Sequence, residues 1–175
     1  MKKKVWIFNH YATDTMLDHG GRHYWFAKYL TRAGYDVRIF CASTVHDTDI
    51  NFDVGESGYC EKMVDGLKYT LIQTSNYVGN GKSRVKNMYQ FYRRIFRVVK
   101  NYEKPDVIFA SSVHPLTLLA GIKIAKKLGV KCICEVRDLW PESLVEYDII
   151  SQNHIVTKLM YRGERSLYKK AGSLI

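Results

Sequence analysis

Six residues, Arg137-Asp138-Leu139-Trp140-Pro141-Glu142, break directly out of the apolar run Val130–Val136. An arginine and two acids at the mouth of a sheet can orient hydroxyl groups or stabilise developing positive charge. The competing reading makes Arg137 and Asp138 an ion pair that ties the loop, with Trp140 as packing. His114, in Ser111-Ser112-Val113-His114-Pro115, follows a second apolar run, Val107–Ala110. A histidine there can hydrogen-bond a hydroxyl or shuttle a proton; it can equally be a loop residue ahead of a helix that Pro115 begins.

Gly20-Gly21 precedes a helical pattern. Two missing β-carbons let a ligand approach the backbone, and the helix start offers free N–H groups to a phosphate or a sugar hydroxyl; the alternative is a glycine pair that the turn alone requires. The spacing is not GxGxxG, and the second strand ends Ile39-Phe40-Cys41-Ala42-Ser43 without an acid, so a dinucleotide site is not expected. His19 and His23 are separated by the glycine pair and do not share a helix face, which argues against a metal pair. No Walker A, GxSxG or Cys–His nucleophile context is present.

Residues 82–104 carry eight basic side chains against Glu103 alone, a net +7 out of the +10 of the whole chain. Val85, Met88, Tyr92, Ile95 and Val99 recur at helical spacing and predict a buried stripe. Lys86, Arg93, Arg97 and Lys100 share another face beside Tyr89 and Phe96, with Arg94 adding to the charge. Such a helix suits an anionic bilayer surface, where each basic residue contributes about 1 kcal/mol, so Arg93, Arg94, Arg97 and Lys100 are the expected membrane-surface residues. A merely solvated basic face is the plain alternative.

The elements that must position these groups alternate as strand, loop, helix. Strands are expected at Val5–Asn9, Asp36–Ala42, Val107–Ala110 and Val130–Val136, with another beginning near 171–175. Residues 10–20 read as a polar loop. A helix over Arg22–Ala33 is expected to bury Phe26, Tyr29, Leu30 and Ala33 and to stop at Gly34. Residues 43–61 read as a long, mobile loop. Asp65-Gly66 between Glu61–Val64 and Leu67–Thr74 is a strong hairpin signal. Further helices are expected at Ser83–Tyr102, Leu116–Leu128 and Asn153–Lys170, with a short one after Trp140-Pro141. The pattern predicts an α/β fold, a parallel sheet with helices on both faces.

The 175 residues suffice for one domain with a sizeable core. A pI near 9.4 favours an anionic partner. Disorder and a disulfide scaffold are excluded by 46% hydrophobic residues and four cysteines without CxxC spacing. Cys132 and Cys134 lie on one face of a strand and are expected to be free core thiols. The first apolar run, Val5-Trp6-Ile7-Phe8, is too short for a signal peptide, and no run approaches the ~18–20 residues of a membrane span. Nucleic acid is not expected as a partner, since no recognition helix or RNP-like strand is present.

With these residues in view, the chain resembles the N-terminal half of family-four glycosyltransferases of the two-domain GT-B architecture, in the bacterial branch that builds capsule, O-antigen and exopolysaccharide. The resemblance rests on Asn9-His10-Tyr11-Ala12, Gly21-Arg22-His23-Tyr24, the Asp65-Gly66 hairpin, Gly79-Asn80-Gly81, Lys104-Pro105-Asp106-Val107-Ile108, Ser111-Ser112-Val113-His114-Pro115 and Glu135-Val136-Arg137-Asp138-Leu139-Trp140-Pro141-Glu142-Ser143. It implies a Rossmann-like domain spanning residues 1–175. It also implies transfer of a sugar, with retention, from a nucleotide diphosphate sugar to a polyprenyl-diphosphate-linked acceptor, without cofactor or metal.

By the same resemblance Gly20 and Gly21 approach the donor, and Arg22, His114, Arg137 and Glu142 face the acceptor. Asp138 and His114 lie nearest the reacting atoms. Many relatives have a histidine where this chain has Arg137-Asp138. The donor-binding domain is absent from these 175 residues, so the chain alone is expected to be inactive. The expected location is the inner face of the cytoplasmic membrane. A non-catalytic, membrane-recruiting subunit of a split two-chain enzyme is the alternative.

Overall fold

The computed structural model describes residues 2–175. The first strand, β1 (Lys4–Phe8), is central and buried on both sides. Its side chains alternate across the sheet. Trp6 and Phe8 join one apolar cluster, and Val5 and Ile7 the other. The strand is flanked in parallel by β2 (Asp36–Ala42) and β5 (Val107–Ser112). Beyond β2 lie β4 (Leu67–Ile72), parallel, and β3 (Tyr59–Val64), antiparallel to it. Beyond β5 lie β6 (Lys131–Val136) and β7 (Ser173–Leu174), both parallel. The order is β3-β4-β2-β1-β5-β6-β7. The architecture is thus α/β and Rossmann-like, as expected, with one antiparallel edge contributed by the Asp65-Gly66 hairpin.

Helices α3 (Lys82–Val98), α4 (Pro115–Leu128) and α6 (Ile155–Lys170) supply Phe91, Ile95, Leu118 and Leu167 to the cluster that holds Trp6, Phe8 and Phe40. Each such buried side chain is worth about 1.5–3 kcal/mol. Helix α4 starts with Pro115 at its first turn and ends at Gly129 with φ 64°, the ordinary punctuation of a helix. It packs tightly on the sheet through Gly121, where a Cβ would stand 2.6 Å from Ala110 Cβ. On the opposite face, α1 (Ala12–Leu17) and α2 (Arg22–Arg32) contribute Ala12, Met16, Tyr24 and Ala27. The short helix α5 (Glu142–Glu146) follows β6.

Four local expectations are corrected. The polar loop at 10–20 contains α1, whose six residues turn on Ala12, Thr13 and Met16 buried against the sheet; a single helical turn and a half is too short to show periodicity. Helix α2 buries His23, Tyr24 and Ala27 instead of Phe26, Tyr29 and Ala33. The cause is His23, which bonds into the sheet and rotates the helix. Helix α3 buries Asn87, Met88, Phe91, Ile95 and Val98, and Val85 is left 61% exposed; the polar Asn87 sets the inward face. The segment 43–58 is tied to the sheet edge by Ser43 N–H to Ile72 O (2.7 Å) and Asn51 Nδ2 to Thr74 O (2.9 Å). Cys132 and Cys134 are buried thiols with sulfurs 3.7 Å apart. Among the described residues no helix is long and apolar enough to cross a membrane.

Candidate functional site

The carboxyl ends of β1, β5 and β6 bring together residues more than a hundred positions apart. Ligands bind at this edge in open α/β sheets. Asn9 and His10 follow β1, and the alternation of the strand sends them to opposite faces. Each heads a separate buried hydrogen-bond relay.

On the α2 face, Tyr11 N–H donates to Asn9 Oδ1 (3.2 Å). That contact makes Oδ1 the acceptor, so Asn9 Nδ2 donates to His23 Nδ1 at 2.8 Å. His23 must then carry its proton on Nε2, which donates to Glu135 Oε2 at 2.9 Å. Ser111 Oγ donates to the same oxygen (2.6 Å), and Arg22 Nη1 donates to Oε1 (2.6 Å). Burial works to raise the Glu135 pKa, but the hydrogen bonds from His23, Ser111 and Arg22 outweigh it and hold the carboxyl at about 2. Glu135 is thus a buried carboxylate that steers an otherwise exposed arginine toward the strand ends.

On the α3–α4 face, His10 Nε2 bonds Asn87 Oδ1 (2.6 Å), and His10 Nδ1 meets His114 Nε2 at 2.7 Å. Burial pushes both imidazoles down; for His10 the neighbouring His114 adds to it, and His114 falls to about 3 with Arg84 contributing. Both rings are neutral at physiological pH. This favours hydrogen bonding over proton shuttling as the chemistry of His114. Its Nδ1 is buried without a partner among the described residues, a deficit of about 1–3 kcal/mol if nothing fills it. Around it, Tyr11, Tyr77 and Met88 form a small cluster, and Arg84 Nε donates to Tyr11 Oη at 3.2 Å.

The other expected residues divide. Arg137 and Asp138 are exposed beyond β6 and form no ion pair with each other or with any described residue. They stand free at the same edge as His114 and Arg22. Trp140 is anchored by Nε1 donating to Val113 O at 3.1 Å. Glu142 accepts a hydrogen bond from Tyr161, which makes it a brace between α5 and α6. Gly21 has φ 81°, and a Cβ there would lie 2.8 Å from Thr15 Cγ2. The turn and α1 account for this glycine. At Gly20 the nearest obstacle is Asp18 O, 3.5 Å from an added Cβ, so no neighbour explains that position. His19 bonds Asp65 (2.7 Å), whereas His23 bonds Asn9 and Glu135, so the two histidines share no partner.

Away from the strand ends, α3 and α4 enclose a groove of about 430 Å³ lined by Arg93, Arg97, Lys100, Lys123 and Lys127 with Tyr92 and Phe96. Arg94 does not belong to it: its Nη1 donates to Gln73 O (2.5 Å). The arginine that the helical charge count included is turned to the β4 side.

Sequence reasoning assigned Arg22 and His114 a site role, whereas Asn9, His10 and Glu135 stood only among the residues of the resemblance, His23 was weighed only as half of a metal pair, and Asn87 was not singled out. An acid closing an apolar strand, and Asn-His closing another, were the available signals.

The chain matches the family described as "Glycosyl transferase 4-like domain" over residues 21–175. Among solved structures, the catalytic domain of starch synthase IV from Arabidopsis thaliana, bound to ADP and acarbose, is similar with TM-score 0.52 and 13% identity, over 78% of this chain and 34% of that one. A sucrose-phosphate synthase from Thermosynechococcus elongatus is similar with TM-score 0.50 and 11% identity, over 86% of this chain and 72% of that one. At such identities the likeness is one of fold. The chain spans about a third of the length of the starch synthase chain. No curated protein sequence matches it.

Proposed function

Because the chain belongs to the glycosyl transferase 4-like domain family, we propose that it forms the acceptor-binding half of a glycosyltransferase that moves a sugar from a nucleotide diphosphate sugar to a lipid-linked acceptor in surface polysaccharide synthesis. The observation that carries this reading is the convergence of Arg22, His114, Arg137 and Asp138 on one edge of the sheet, supported from beneath by the Glu135 and His10 relays. In the transfer, the acceptor hydroxyl oxygen bonds to the anomeric carbon and gives up its proton to the departing diphosphate oxygen. The bond from that carbon to the diphosphate oxygen breaks, and the nucleoside diphosphate departs with the electron pair.

Asp138 is the exposed carboxylate suited to stabilise positive charge at the reacting carbon, and His114 is suited to bind a hydroxyl. Arg22 and Arg137 are suited to the diphosphate of a polyprenyl-linked acceptor, by charge-assisted hydrogen bonds. Gly20 leaves room for the donor near the start of α2. In this reading residues 1–175 are the acceptor-side domain, a second domain holds the nucleotide, and the outcome is retention. The basic α3–α4 groove supports docking on the anionic inner face of the cytoplasmic membrane.

The test is transfer by the full enzyme from a panel of radiolabelled nucleotide sugars into organic-extractable polyprenyl-diphosphate sugar. Label in the lipid fraction that vanishes with Asp138→Asn supports the reading; label that enters only water-soluble glucan overturns it.

A further inference from the structure

The α3–α4 side of the site contains a proton order that its hydrogen bonds determine one after another. Asn87 Nδ2 lies 2.7 Å from the backbone oxygen of Ser75 and 3.0 Å from Thr44 Oγ1. A backbone carbonyl only accepts, so the Asn87 amide nitrogen faces it and Oδ1 faces His10. His10 therefore donates from Nε2. If His10 is neutral, its Nδ1 is bare and the 2.7 Å contact must be donated by His114 Nε2–H. The opposite arrangement needs an imidazolium at His10, which is fully buried among Phe91, Tyr11 and His114 with no carboxylate beside it. Charge burial of that kind is strongly unfavourable. What remains is a bare Nδ1 on His114, a residue that is 1% exposed, and that nitrogen has no partner among the described residues.

We propose that Asn87 and His10 are positioning residues that lock His114 in its Nε2–H tautomer, leaving Nδ1 as a pre-set acceptor for a hydroxyl hydrogen of the sugar bound at the strand ends. The use of that lone pair rests on the acceptor-site reading above; the tautomer order does not. A histidine free to exchange tautomers would present a donor in part of its population and force the hydroxyl to turn and accept, so the orientation of that hydroxyl would not be fixed. The relay removes that ambiguity from the backbone of Ser75 outward, across four residues drawn from the β1–α1 connection, the β4–α3 connection, α3 and the β5–α4 connection.

The test is a two-bond proton–nitrogen correlation of the histidine rings in 15N-labelled protein at neutral pH. His10 and His114 are expected as single neutral tautomers, each protonated at Nε2. Asn87→Leu removes the acceptor for His10, and His114 is expected to become a tautomer mixture while the far-ultraviolet circular dichroism is unchanged. Asn87→Asp, protonated in its buried site, accepts from His10 and donates to Ser75, and is expected to restore the single pattern.

A wild-type His114 protonated at Nδ1 overturns the relay even if the variants fail to fold, as does a wild-type pattern persisting in Asn87→Leu. Titration with N-acetylglucosamine 1-phosphate then separates the two claims. Displacement of the His114 Nδ1 resonance beyond those of the other histidines supports its assignment to a sugar hydroxyl. No displacement, with the tautomers as expected, overturns that assignment and leaves the relay standing.

Discussion

Arg22 Nη1 lies 2.6 Å from Glu135 Oε1, so the first residue of α2 is fastened to a buried carboxylate at the end of β6, 113 positions later in the chain. The guanidinium stays largely exposed while the carboxylate is almost wholly enclosed. The pair gives the site a fixed arginine without spending the charge of an exposed acid.

Glu135→Ala removes the acceptor of Arg22, His23 and Ser111 at once; the buried His23 and Ser111 donors are left unsatisfied, and the expected loss is about 2–6 kcal/mol at about 1–3 kcal/mol for each. Urea denaturation measures it. Arg22→Ala alone is expected to cost less, since its side chain is 59% exposed and His23 and Ser111 still hold the carboxylate.

Acid should destabilise the fold in two overlapping windows. The His10 and His114 pKa values lie below their ordinary 6.5, His114 at about 3. The unfolded chain therefore binds the extra protons first, and stability falls as pH drops from about 6.5 toward 3. Glu135 titrates near 2 in the fold against 4.5 otherwise. Its contribution, on the order of 3 kcal/mol, is complete above about 4.5 and is lost as pH falls toward 2. Urea midpoints measured from pH 7 to 2 check this; Glu135→Gln should flatten only the lower window.

Gly21→Ala is expected to cost about 1–3 kcal/mol, because φ 81° with ψ 167° is a region that essentially only glycine occupies. Gly20→Ala meets no neighbour closer than 3.5 Å and should leave stability unchanged. Loss of transfer activity in Gly20→Ala at unchanged thermal midpoint would mark the approach of a donor; full activity would remove Gly20 from the site.

Arg137→Ala and Asp138→Asn should leave stability within about 0.5 kcal/mol, as surface changes do, while lowering transfer at least tenfold. Thermal melts and initial rates on the full enzyme separate the two effects.

Vesicles containing phosphatidylglycerol should sediment the protein, and salt should weaken the effect. Charge reversal at Arg97 or Lys123 is expected to reduce binding several-fold, and Arg94→Gln to leave it unchanged because Arg94 is turned to Gln73. Equal binding to neutral phosphatidylcholine vesicles would defeat the electrostatic account.

Most of the fold was legible because helices, strands and turns are local. Asp65-Gly66, Pro115 and Gly129 mark boundaries with chemistry confined to a few neighbours. Where reading failed, a distant partner had intervened. Phe26 and Tyr29 have the apolar character of a buried face, yet they stand 39% and 60% exposed because His23 is drawn to Asn9 and Glu135. Val85 lost its place in the buried stripe of α3 to Asn87, which is drawn to His10 and Ser75.

The sequence by itself determined the alternation of strands and helices, the basic balance and the edge at which His114, Arg137 and Asp138 emerge. Periodicity and turn residues act between neighbours, and those neighbours are adjacent in the text. Only the tertiary structure decided that Glu135 binds Arg22 and His23, that His10 meets His114, and that Lys123 and Lys127 complete a groove begun by Arg93 and Arg97. Apart from the short steps within α3 and within α4, those contacts join residues about a hundred positions apart, or two helices separated by a strand. A hydrogen bond between side chains requires atoms within about 3 Å, a condition that no spacing along the chain expresses.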